Sequence, residues 1–198
     1  MATDVAAVLA NLLGFYEFDA KGMISVGAGG GQFAGYGRVA REVIAVDTDG
    51  AALAVLAERT RALGIAGRFV LLEKDFMAVT ERADVVLFEF SLHEIADRGG
   101  ALDHAATLAR DIVVIDHAPG SAWAHVVDET EKVAASWAVV AARGARKVED
   151  YSAVQRFSSH HELLDKVGSQ GAEAIRRIER WRGCTDIRIP MAYRIALL

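Results

Sequence analysis

Residues 23–33 read MISVGAGGGQF, an apolar run that empties into a glycine-rich turn and then into an expected helix over Ala34 to Arg41. A buried strand followed by Gly27, Gly29 and Gly31 lets the backbone turn sharply. It also lets a ligand press on the main chain, because side chains are missing where it approaches. The turn therefore reads as a nucleotide-type cradle, and the rest of the chain can be placed by its distance from it.

Working outward, Val43 to Val46 forms a second strand that stops at Asp47, and Ala51 to Leu63 a helix that Gly64 closes. Further apolar runs at Phe69 to Leu72, Asp84 to Glu89 and Ile112 to Asp116 supply a third, fourth and fifth strand. Short apolar runs alternating with helices indicate an α/β fold: a doubly wound, mostly parallel, Rossmann-like sheet whose strands are buried on both faces. Before the first strand, Asp4 can cap a helix carrying Val5, Val8, Leu9, Leu12 and Leu13 and ending near Gly14. After the fifth, Ala122 to Ala142 reads as one amphipathic helix with Trp123, Val126, Val133, Trp137 and Val140 on its stripe, and Asp128 and Glu129 largely off it. Ser158 or Ser159 caps a further helix with Leu163, Leu164 and Val167. The stretches Ala174 to Arg182 and Met191 to Leu198 read as a closing antiparallel strand pair, although Ile175, Ile178 and Trp181 suit a helix equally well.

The chain has 198 residues, 53% of them hydrophobic and 25% charged, which suits one domain over 1–198: an N-terminal helical segment 1–20, a core 22–120 and a closing part 121–198. A net charge of −5 offers no basic field for a phosphate backbone, so nucleic acid is not an expected partner. The single cysteine, Cys184, excludes an internal disulfide and gives no zinc spacing. The first residues lack the pattern of a signal peptide or a membrane span, so a cytoplasmic protein without membrane partners is expected.

In an open parallel sheet the ligand lies beyond the carboxyl ends of the strands, near the reversal of strand order. The residues at those ends are Gly27 to Gly31, Asp47 with Thr48, Asp75 with Phe76, Glu89 to Glu94, and Asp116 to Pro119. Asp47 lies twenty residues beyond Gly27, the distance at which a carboxylate can accept both hydroxyls of a ribose. A nicotinamide-dependent oxidoreductase shares that arrangement, but its third glycine would fall at position 32, which is Gln32.

Several motifs in order resemble the class I S-adenosylmethionine-dependent methyltransferases. MISVGAGGG resembles their first motif, VIAVDTD the second, LLEKDF the third, and ADVVLFEFSLHEI the fourth strand with its exit, Leu92 to Ile95 being similar to a Leu-His-His-Ile pattern of small-molecule members. The resemblance covers Met23 to about Pro119. It implies S-adenosylmethionine as cofactor, held by Ser25, Gly27, Ala28, Gly29, Gly31, Asp47, Thr48, Asp75, Phe76, Glu89 and Phe90. In it Asp75 would bind the adenine amino group and Phe76 flank the ring. Members commonly carry an acidic residue two positions before the first glycine; Ser25 stands there, and its hydroxyl can receive or relay a hydrogen bond from the methionine amine. The implied reaction is in-line methyl transfer to a small organic acceptor, which requires no metal, and no metal site is expected. His93 and His117, at neighbouring strand exits, are the candidate catalytic bases. Glu89 and Glu94 can orient a substrate amine or hydroxyl. A domain of this type that binds cofactor or a partner without catalysis is the alternative reading.

Overall fold

The computed structural model describes residues 4–198; residues 1–3, which open the expected N-terminal segment, lie outside the described residues. Seven strands form one sheet in the order β3-β2-β1-β4-β5-β7-β6. They are β1 (Gly22–Val26), β2 (Glu42–Asp47), β3 (Phe69–Glu73), β4 (Val85–Glu89), β5 (Asp111–His117), β6 (Lys147–Ser159) and β7 (Thr185–Leu197). β1 to β5 run parallel, and β7 enters antiparallel between β5 and β6. The strand order reverses between β1 and β4, so the crevice at a topological switch point opens beside the glycine turn.

β1, β2, β4 and β5 are buried on both faces along most of their length, which is why they lack polar alternation, whereas the edge strand β3 is only partly covered. Met23, Val43, Val85, Leu87 and Val113 face one core, which takes in α1 (Val5–Phe15), α4 (Ala122–Val126), α6 (His160–Val167) and α7 (Ala172–Ile178). Ile24, Ile44, Val86, Phe88 and Val114 face the other, closed by α3 (Arg98–Leu108) and α5 (Thr130–Ala142). α2 (Gly50–Ala62) covers a small cluster of Ala28, Ala34 and Ala45 under the glycine turn. Asp4 caps α1 by accepting the Ala7 amide at 3.1 Å, and Ser159 caps α6, as their sequence positions suggest. No helix among the described residues is long and apolar enough to cross a membrane.

Four expectations need correction. The helix after the glycine turn shrinks to a 3-10 turn, Ala34–Arg38, because two glycines in five residues weaken any helix. The long helix over Ala122 to Ala142 is two helices. Asp128 adopts a left-handed conformation (φ 63°), the Glu129 amide donates to Ala124 O at 2.9 Å and the Asp128 amide to His125 O at 3.2 Å. This is a Schellman ending with aspartate where glycine is usual. Arg177 of α7 ties it down through Asp128 at 2.9 Å and through the His125 carbonyl. The stretch Ala174 to Arg182 is helical, α7 followed by a 3-10 turn, so its three-residue spacing was the true period. The closing strand pair is instead β6 with β7, and Tyr151 to Phe157 is a sheet strand in register with Tyr193 to Ile187.

Candidate functional site

The glycine turn bends with positive φ at Gly27 (71°), Gly29 (49°) and Gly31 (68°). At Gly27 a Cβ would stand 2.3 Å from the Ser91 Cβ, so the β4 exit passes directly behind this residue. At Gly29 a Cβ would meet nothing nearer than 3.8 Å, so the main chain is open there. The Gly29 amide donates to Asp47 Oδ2 at 2.8 Å while Asp47 Oδ1 accepts the Asp49 amide at 3.0 Å. Asp47 is thereby aimed at the turn instead of at solvent. Thr48 is exposed in the turn that follows. Ala28 is buried in the small core, so only its backbone can reach a ligand.

Asp75 is exposed and accepts the Met77 amide at 2.8 Å. Phe76 is not a free wall: its ring packs edge-on against Phe88 and His104, at 5.3 and 5.1 Å, within the core. Ser25 is fully buried, and its hydroxyl lies 3.2 Å from Glu89 Oε2 and 3.0 Å from the Tyr36 hydroxyl, which itself donates to Glu89 at 3.1 Å. The position where a carboxylate is common on the first strand thus holds a hydroxyl, and the neighbouring strand supplies the carboxylate. Burial raises the Glu89 pKa to about 7, against the lowering effect of Tyr36 and Ser25. Phe90 follows with φ 50°, a conformation rare for a bulky residue and a sign of backbone strain at a strand exit. Its ring stacks on Phe33 at 5.8 Å and tilts against His117 at 5.0 Å, joining the glycine turn to the β5 exit.

Beyond Phe90 the two histidines meet, their ring centroids 5.9 Å apart. His93 is 3% exposed, with Nδ1 at 2.7 Å from Asp116 Oδ1 and Nε2 at 3.3 Å from Glu94 Oε1 and 3.5 Å from Glu129 Oε2. Burial alone would lower its pKa, but the Asp116 and Glu129 carboxylates prevail and push it up to about 10. His117 is 7% exposed and its Nε2 faces Glu129 Oε2 at 3.7 Å; burial outweighs the carboxylates there and lowers its pKa. The result is one charged and one neutral ring, side by side. Lys132 holds the other oxygen of Glu94 at 2.7 Å.

Asp116 and Glu129 were missing from the sequence-derived site. Asp116 stood visibly at a strand exit beside His117. Glu129 stands three residues after Val126 and four before Val133, at the edge of the apolar stripe, so that spacing was a signal which its charge obscured; the break at Asp128 then sets it beside the two histidines.

No family model and no curated protein matches the chain. Solved structures do. A putative methyltransferase from Bacillus halodurans C-125 is similar over 98% of this chain and 97% of its own, with a TM-score of 0.67 at 13% identity. Precorrin 8W decarboxylase from Methanobacterium thermoautotrophicum is similar over 96% and 88%, with a TM-score of 0.64 at 11% identity. Magnesium protoporphyrin IX methyltransferase from Synechocystis PCC 6803, solved with bound S-adenosylhomocysteine, is similar over 97% and 80%, with a TM-score of 0.57 at 12% identity. At these identities the likeness is one of fold.

Proposed function

We propose that this chain, which has the class I S-adenosylmethionine-dependent methyltransferase fold, binds S-adenosylmethionine over its glycine turn and methylates a small organic acceptor. The observation that supports this most is the pair of carboxylates bracketing one open stretch of backbone, with Asp47 at 2.8 Å from the Gly29 amide on one side and buried Glu89 on the other. The two differ in chemistry. Asp47 suits the ribose hydroxyls, and Glu89, held by Tyr36 and Ser25, suits a cationic amine whose approach would complete its ionisation. A nicotinamide dinucleotide has no cationic amine for Glu89. Asp75 remains available to the adenine amino group, with Phe76 as a floor beneath it and not as a stacking wall.

When bound, the cofactor supplies a sulfonium methyl; the acceptor's lone pair forms the new bond to that carbon while the carbon–sulfur bond breaks and its electrons stay on sulfur. What the chain contributes is alignment and exclusion of water. Phe33, Phe90 and Tyr193 form a chain of ring contacts from the glycine turn to the β5 strand's neighbour, and Phe90, the partly exposed member, favours an acceptor with an apolar body. The acceptor's proton is governed by the cluster of His93, His117, Glu94 and Glu129. His93 already carries a proton there, so it is a poor base, while His117 is neutral. The fold hosts other reactions, as the decarboxylase illustrates, so the site must carry the assignment.

Calorimetry tests it. S-adenosylhomocysteine should bind and NAD should not, and Asp47→Ala should weaken binding by about ten- to a hundredfold through the loss of charge-assisted hydrogen bonds. Binding of NAD alone, or an affinity indifferent to Asp47, would sink the proposal.

A further inference from the structure

We propose that His93, His117, Glu129 and Glu94 form a binding site for a divalent transition-metal ion at the exits of β4 and β5. The first support is spacing. Donor atoms of His93, Glu94 and Glu129 all lie within 4.8 Å of one another. The contacts from His93 Nε2 to Glu94 and Glu129 measure 3.3 and 3.5 Å, and that from His117 Nε2 to Glu129 measures 3.7 Å. Two ligands bound tetrahedrally to zinc at its usual bond lengths stand about 3.4 Å apart. By contrast the His93–Asp116 contact, a true hydrogen bond, is 2.7 Å. His93 Nε2, Glu94 and Glu129 are arranged around a common point more than they are bonded to each other; His117 stands outside that trio, 3.7 Å from Glu129, and would join it by a movement of its ring.

The second support is what holds the donors. Asp116 is fully buried and engages His93 Nδ1, so Nε2 is the nitrogen turned to the cluster; a carboxylate behind a ligating histidine is the usual outer partner of a metal site. The third is an unsatisfied ring. Among the described residues neither nitrogen of His117 has a hydrogen-bond partner: Nδ1 is buried without one, and Nε2 points at Glu129 beyond hydrogen-bond range. An ion would give Nε2 the partner it lacks, while Nδ1 would keep its present state. Glu129 is also buried, and the basic side chains it faces within 4 Å are these two imidazoles. Glu94 is the exposed member and leaves one side open to solvent, an entry path and a free coordination position.

Two imidazoles with carboxylates and no thiolate suit zinc, iron(II), cobalt(II) or manganese(II), and disfavour copper(I). A proton on His93 is the competitor for the same place. Resting on the methyl-transfer reading, the ion would take an acidic hydroxyl of the acceptor as its next ligand. That hydroxyl would lose its proton to water and attack the methyl carbon as an oxyanion, so the acceptor class is a phenol or enol.

The test uses the full chain, freed of metal by a chelator and titrated with Co²⁺. One ion per chain with visible ligand-field bands is expected, displaced by Zn²⁺, and His117→Gln and Glu129→Gln should each weaken it by about a hundredfold or more. His161→Gln, at an exposed histidine elsewhere, should change nothing. Absence of bands together with no retained Zn²⁺ overturns the site, as does binding that survives both substitutions. Should the variants not fold, X-ray absorption of the Zn²⁺-loaded wild type decides: two imidazoles in the first shell support the site, and none overturns it. Calorimetry with S-adenosylhomocysteine, run in parallel, separates the two readings: cofactor binding without metal overturns the metal site alone, and metal without cofactor overturns the methyl-transfer reading alone.

Discussion

The two halves of the crevice are built in opposite ways. The glycine side is made of backbone: a turn with three left-handed residues, an amide aimed at Asp47 and a space kept free of side chains. The histidine side is made of side chains from three separate stretches, the β4 exit, the β5 exit and the start of α5, with a buried aspartate behind them. A backbone cradle tolerates changes of charge and fails when an atom is added. A side-chain cluster tolerates changes of shape at its rim and fails when one charge is removed, because its partners are then left buried and unpaired.

That contrast can be broken or sharpened by substitution. The largest effect belongs to the histidine side: Asp116→Asn should cost about 3–5 kcal/mol in denaturant unfolding, since it strips the partner from a buried imidazole without altering shape. A cost below about 1 kcal/mol would mean the cluster is not held electrostatically.

Next comes Glu89, which lies between the two halves. Its folded-state pKa stands near 7, above the ordinary 4.5, so the protonated form is the one folding favours. The resulting stability is fully present below pH 4.5 and is lost as pH rises through about 7, by up to roughly 3 kcal/mol. Between about pH 5 and pH 8 the wild type should therefore lose more stability than Glu89→Gln, by about 2–3 kcal/mol, on top of the pH dependence that His93 and His117 give to both. Equal pH dependence in both would place the titrating group elsewhere.

The smallest effects are on the glycine side, and they should differ between neighbours. Gly27→Ala combines a left-handed φ with a Cβ 2.3 Å from Ser91, so a loss of about 2 kcal/mol is expected. Gly29→Ala carries the backbone strain alone, with open space for its methyl group, and should lose only about 1 kcal/mol while still weakening the cofactor. Thermal melts of the pair decide it. If both lose the same, close approach does not govern the turn.

How legible each half was follows from the same difference. The cradle is contiguous in sequence, and Asp47 lies one βα unit away, so spacing alone pointed to both. The role of Ser25 was not legible, because Tyr36 and Glu89 reach it from another turn and another strand. β6 went unrecognised because its outer residues are largely exposed and Tyr151, Ala153, Gln155 and Phe157 mix polar with apolar on the inward face. At Phe76 the order of residues suggested a ligand wall, yet Phe88 and His104 claim the ring for the core.

By itself, then, the sequence determined the parallel order of apolar strands, the glycine turn after the first of them and the acid after the second. Each of these depends on local periodicity and short spacing, which a chain carries wherever its other parts go. Only the tertiary structure decided the histidine cluster. Asp128 takes a left-handed conformation, Arg177 crosses from a helix almost fifty residues later to hold it, and across that helix break Glu129 stands beside His93 and His117. Helical spacing sets Glu129 at the edge of the apolar stripe, but which groups it meets there is decided by long-range contacts, and those leave no period in the sequence to read.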